Sequence, residues 1–121
     1  MDIKKMTVRD KEIAVVNSHE ICIRDAQSAL DFLMTVSYET GCDSIVINKE
    51  AITPDFFILS TGSAGEILQK FINYRCKLAI VGDFSGYTSK PLKDFMYESN
   101  NGRDIFFVSS EEEAIQKLSR I

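Results

Sequence analysis

The chain has one histidine, three cysteines and no long apolar run, and each scarcity excludes a class of protein. His19 stands on a polar turn between Ser18 and Glu20, without His or Cys partners at ligand spacing. Neither a zinc site nor a Ser-His-Asp device is therefore expected, and no metal or other cofactor is implied. Cys22, Cys42 and Cys76 are odd in number and far apart, which reads as reduced thiols of a cytoplasmic protein rather than a disulfide framework. Cys22 and Cys76 sit in or beside apolar runs, where a free thiol behaves as a small core residue. The opening MDIKKMTVRD lacks the apolar centre of a secretory signal, and nothing reaches the length of a membrane span. No basic run exceeds Lys4-Lys5, and 18 acidic against 14 basic residues give a net charge of −4. Binding to nucleic acid or to an anionic membrane is accordingly not expected.

What is present is an average globular composition: 121 residues, 45% hydrophobic and 26% charged, enough for one domain spanning residues 1–121. Ile3 to Arg9 alternates weakly, Asp10-Lys11 makes a polar corner, and Glu12 to Asn17 is a second apolar run, the pattern of a β-hairpin. Ile21 to Ile23 is a short β-branched run that could extend the sheet. Asp25 is an N-cap for a helix whose apolar face is Ala26, Ala29, Leu30 and Leu33, with Gly41 as a left-handed C-cap. Ser44 to Asn48 reads as a buried strand, and Thr53 caps a helical segment opened by Pro54. From Ser63, residues Ala64, Ile67, Leu68, Phe71 and Ile72 fall on one stripe of a helix. Lys77 to Gly82 is the best central strand. Ser89 and Pro91 then start a helix that turns Leu92, Phe95 and Met96 inward, and Gly102 stops it. Ile105 to Val108 is the last strand, and Ser110 with Glu113 forms a capping box for a final helix burying Ala114, Ile115 and Leu118.

A hairpin followed by alternating helices and strands predicts an α/β fold. The expected sheet is mixed, with four or five strands, right-handed crossovers and helices covering it. Phe56-Phe57 and Phe106-Phe107 are expected in the core, with one ring of the first pair left exposed.

The stretch of densest functional interest is Ser60-Thr61-Gly62-Ser63-Ala64-Gly65 at the head of the third helical segment. Hydroxyls, glycines and free N–H groups at a helix start gather positive dipole at one spot. It is no dinucleotide fingerprint, because it does not directly follow a strand and lacks the third glycine; it is no Walker loop, because Gly-Lys-Ser/Thr is absent. The alternative is that its glycines let the helix pack tightly on the sheet. Ligands of open α/β sheets gather beyond the carboxyl ends of the strands. That edge collects Asn48 to Glu50, the loop containing Asp83, Ser85, Gly86, Tyr87 and Lys90, and Ser109-Ser110. The loop is read either as a docking or binding edge or as ordinary turn chemistry, with Gly86 at positive φ.

The opening IKKMTVRDKEIAVVNSHEICIRDAQSALDFL and the ending DIFFVSSEEEAIQKL resemble the first hairpin and helix, and the last strand and helix, of STAS domains, the anti-sigma-factor antagonist fold. Across its length, through ITPDFF, GEILQKFINYR, KLAIVGDFS and KPLKDFMYESN, the chain resembles more closely a bacterial family catalogued as domain-of-unknown-function family 4180. The STAS resemblance implies a phosphorylatable Ser or Thr at the start of the second helix, which would be Thr61 or Ser63. Leu59 precedes Ser60 where the STAS phrase carries an acidic residue. These readings imply a cytoplasmic, non-enzymatic regulatory or protein-binding module, working through Ser60, Gly62, Gly65, Asp83, Ser85, Tyr87 and Lys90. A protein partner is expected, and self-association into a homodimer is a further option. The alternative is a small-molecule-binding protein or enzyme that uses the same edge.

Overall fold

The computed structural model describes all 121 residues. Strands β1 (Asp2–Val8) and β2 (Lys11–Asn17) form the hairpin; α1 (Ala26–Thr40), β3 (Ser44–Asn48), α2 (Ser63–Asn73), β4 (Lys77–Val81), α3 (Lys90–Asn100), β5 (Ile105–Val108) and α4 (Glu111–Ser119) follow. Three single-turn 3-10 helices, Lys49–Ala51, Pro54–Phe57 and Leu59–Thr61, lie between β3 and α2. The sheet is five-stranded and mixed, in the order β1-β2-β3-β4-β5, with only the β1–β2 pair antiparallel. The fold is α/β, as the alternation of elements predicts.

Strand order explains the layering. The chain steps from β2 to β5 always in the same direction, and three right-handed crossovers made that way set their helices on one face of the sheet. The 25-residue core cluster accordingly joins Ala14, Val16, Ile45, Ile47, Leu78, Ile80, Ile105 and Phe107 of the sheet to α1, α2 and α3. The alternate residues Ile13, Val15, Val46, Ala79, Phe106 and Val108 point the other way, and Ala114 and Leu118 of α4 alone complete their cluster. Central strands buried on both faces read as continuous apolar runs, which is why KLAIV and IFFV were recognisable.

Local signals hold the helices in register. Asp25 accepts from Ser28 N–H at 2.8 Å while Ser28 Oγ accepts from Asp25 N–H at 3.0 Å, a reciprocal capping box contributing about 1 kcal/mol. Gly41 closes α1 at φ 72° in the left-handed region. Ser110 Oγ accepts from Glu113 N–H at 3.1 Å, and the Glu113 carboxylate reaches one residue further back than expected, to Ser109 N–H. On the outer edge of β5, the Asn100 side chain accepts from Phe107 N–H at 2.7 Å and donates to Phe107 C=O at 3.1 Å.

Several expectations are corrected. The hairpin turn sits at Arg9-Asp10, one residue earlier than expected, with both residues in the left-handed region at φ 53° and 65°. Both rings of the first aromatic pair are buried, Phe56 at 0% and Phe57 at 5% exposure, because the Pro54–Phe57 turn lays one under α2 and stacks the other on Tyr87. Ile72 is exposed, because it lies at the edge of the α2 stripe, whose buried members are Ala64, Ile67, Leu68 and Phe71. Ile115 is only half-buried, at the rim of the smaller cluster. Gly102 does stand just past α3, but its φ is not positive and Asn101 caps the helix. Run 21–23 contributes a single parallel bridge, Ile23 to Ile52, rather than a strand.

A two-residue hairpin of this twist favours Asn-Gly, and left-handed backbone costs an ordinary L residue about 1–2 kcal/mol. Replacing Arg9-Asp10 by Asn-Gly should stabilise the fold by about 1 kcal/mol and raise Tm by roughly 4 °C. Thermal denaturation followed by circular dichroism checks this; an unchanged or lower Tm would show that the turn is not strained.

Candidate functional site

Four parallel strands that all end at one rim bring four loops together there. Beyond β2 lies Ser18, beyond β3 Lys49, beyond β4 the segment Gly82–Ser89, and beyond β5 Ser109-Ser110. Asn48 ties the first two loops: its side chain accepts from Ser18 N–H at 2.9 Å and donates to Ser18 C=O at 2.7 Å.

Lys49 ties the exit of β3 to that of β4. Its ammonium donates to Asp83 C=O at 3.2 Å and lies 4.5 Å from the Tyr87 ring centroid. The Phe57 and Phe84 centroids are each 5.8 Å away. Three rings around one cation form an aromatic cage, in which each favourable contact contributes on the order of 0.5–2 kcal/mol. The rings themselves are packed: Phe57 stacks on Tyr87 at 5.2 Å, and Phe84 meets Phe107 edge-on at 5.6 Å. Gly82 makes the arrangement possible. A Cβ there would stand 2.7 Å from Lys49 Cβ, so only a glycine lets the β4 exit cross the lysine stem.

Asp83 Oδ1 accepts from both Ser85 Oγ (2.6 Å) and Ser85 N–H (2.9 Å). These bonds, with the nearby Lys49 charge, hold its carboxyl below the usual aspartate value of 3.8. An open hollow of about 430 Å³ lies alongside, lined by Asp83, Ser85, Phe107, Ser109 and Glu113 among others. Lys90 is exposed and engages Asp94 at 2.7 Å, which raises its pKa through that hydrogen bond and charge; its ammonium belongs to the first turn of α3.

The Ser60–Gly65 stretch takes a different part. Thr61 Oγ1 lies 2.8 Å from Ile58 C=O and 2.9 Å from Asp55 C=O, and it accepts from Ser63 N–H at 3.1 Å. Its hydroxyl is therefore built into the entry to α2. Ser63, half-buried at the first position of α2, makes no side-chain hydrogen bond, and Ser60 is exposed. Gly62 is required for its φ of 78°, whereas a Cβ at Gly65 would meet nothing within 4 Å. Tight packing on the sheet is thus not the reason for these glycines. Phe57 links the two loops, since it precedes this stretch and stacks on the Asp83–Lys90 loop. Gly86 is not at positive φ.

His19 is exposed beyond the end of β2. Because β2 runs parallel to β3, His19 lies at the same end of the sheet as the candidate site. Cys42 and Cys76 are buried and Cys22 is half-buried; burial pushes the Cys76 thiol up to about 12. Sequence reasoning did not single out Lys49, Phe57 or Gly82 as partners. Their one signal was the coincidence of a lysine after β3 with a glycine after β4.

Gly82→Ala should cost about 1–3 kcal/mol in urea denaturation by forcing Lys49 off its rings, while Gly65→Ala should be neutral or stabilising. Equal effects of the two would refute the close crossing. A carboxyl depressed in the folded state contributes stability above its unfolded pKa, lost as pH falls through the folded value. The Asp83 carboxyl, followed by carbon-detected NMR, should titrate below 3.8, and Ser85→Ala should bring it back towards 3.8. No change in that midpoint would remove Ser85 as the cause.

No curated protein matches the chain. A crystal structure of a candidate anti-sigma factor antagonist from Thermotoga maritima is similar at 12% identity and a TM-score of 0.48, over 96% of this chain and 93% of that one. No helix is long and apolar enough to cross a membrane. The model of the family described as "Domain of unknown function (DUF4180)" matches residues 8–118, nearly the whole chain, and the protein belongs to that family.

Proposed function

We propose that the protein is a non-enzymatic regulatory module that docks a protein partner on the rim at the carboxyl ends of its parallel strands. The observation that carries this reading is the pinning of the Asp83–Tyr87 loop by Lys49. Binding costs less when the contact surface is ordered beforehand, and aromatic residues supply most of the energy at such surfaces. Here Phe84 and Tyr87 are half-exposed, packed against Phe107 and Phe57, and flanked by the hydrogen-bonded Asp83–Ser85 pair. The proposed docking surface takes in Ser60, Gly62 and Gly65 at the entry to α2, because Phe57, just ahead of them in the chain, stacks on the Asp83–Lys90 loop.

Regulation by phosphorylation fits Ser63 better than Thr61, because the Thr61 hydroxyl holds the local backbone whereas the Ser63 hydroxyl has no partner. A phosphate on Ser63 would gain the positive end of the α2 dipole, opposed by Glu66 in the same turn. Its charge would change the face that the partner meets.

Affinity capture with the wild-type chain, Tyr87→Ala and Ser63→Asp tests the proposal. A specific protein should be retained by the wild type, lost by at least about tenfold with Tyr87→Ala, and changed in yield by Ser63→Asp. Repeated capture that returns nothing, or a protein indifferent to both substitutions, would overturn it. Light scattering of the purified chain separates this outcome from self-association.

A further inference from the structure

A second hollow adjoins the Lys49 cage and shares no lining residue with the Asp83 groove. Its volume, about 360 Å³, lies in the range of small-molecule sites. Ile21, Ile52 and Pro54 give it apolar walls, and Phe57 and Tyr87 add aromatic surface. Lys49 and Glu50 are its only charged lining residues.

These two charges are adjacent in sequence yet do not pair, and neither belongs to any of the ion pairs of the molecule. Glu50 Oε1 accepts instead from the Asn48 amide at 3.3 Å, and its second oxygen makes no hydrogen bond. Lys49 is fixed by rings and a carbonyl, with no carboxylate within ion-pair distance. An ammonium held in place without a counter-ion is a receptor for an anion, because its three donors are not used up by one carbonyl. The free carboxylate oxygen on the same lining is a receptor for a cation. An apolar anion would leave Glu50 unanswered, and a simple cation would have to expel Lys49 from its cage. A ligand bearing both charges and an apolar group answers every feature of the lining.

We propose that this cavity binds a free α-amino acid with an apolar side chain. Its carboxylate lies on Lys49, its ammonium on Glu50, and its side chain against Ile21, Ile52 and Pro54. The inference shares Lys49 and Tyr87 with the docking proposal but rests on a different hollow and on Glu50, which the docking proposal does not use.

Two-dimensional NMR of the labelled protein, titrated with leucine, N-acetyl-leucine and leucinamide, tests it. Leucine should shift the amides of Lys49, Glu50, Ile52 and Tyr87, while each capped compound should bind at least about tenfold more weakly. Lys49→Met should weaken leucine binding similarly. Glu50→Gln, on an exposed side chain that leaves the cage intact, should do the same without changing binding of N-acetyl-leucine. N-acetyl-leucine binding as tightly as leucine would make this an anion site, and equal binding of leucinamide a cation cage; either overturns the proposal. So does an absence of shifts up to about 20 mM leucine. Partner capture that is lost with Tyr87→Ala but kept with Glu50→Gln would separate failure here from failure of the docking surface.

Discussion

Burial of strands β2 to β5 on both faces is the constraint from which the rest of this molecule follows. Their apolar side chains alternate between two clusters, so water must be kept from both sides of the sheet. Unidirectional stepping of the strands puts α1, α2 and α3 on one side, leaving the nine-residue α4 to cover the other. The same parallel pairing sends every strand exit to a single rim. Packing thus decides where chemistry can gather before any polar residue is considered.

Much of this was legible in the sequence because its signals are local. A cap such as Asp25, a left-handed glycine such as Gly41 and a run such as KLAIV each act within a few residues of where they are read. The turn at Arg9-Asp10 was harder, since Arg9 is not a usual tenant of left-handed backbone, although Asp10 is a tolerated one, and the strand pattern favoured a later corner. The segment between β3 and α2 was only partly readable, because three short 3-10 turns carry no periodicity long enough to recognise. Thr53 as the cap before Pro54 was visible; the fate of Phe57 was not.

The Lys49 cage shows why the site itself was less legible than the frame. Its ring partners come from two segments remote from β3, and a lysine after a strand has no pattern to distinguish it from any solvated charge. Gly82 could be seen as the end of a strand but not as a space reserved for a lysine stem, which depends on how two neighbouring strand exits cross. The Ser60–Gly65 stretch drew attention because its composition is unusual. In the structure, its Thr61 serves the backbone and its Gly62 serves a torsion angle.

Asn100 gives the sheet a boundary. By offering one acceptor and one donor to Phe107, its amide stands in for the residue that a sixth strand would place there. A strand arriving at β5 would have to displace it and would break two bonds before making any. At the far edge, β1 turns Lys4 and Lys5 to either face of the sheet, so a strand laid against it meets ammonium groups whichever side it packs on. A sheet closed in this way does not lengthen by adding copies of itself.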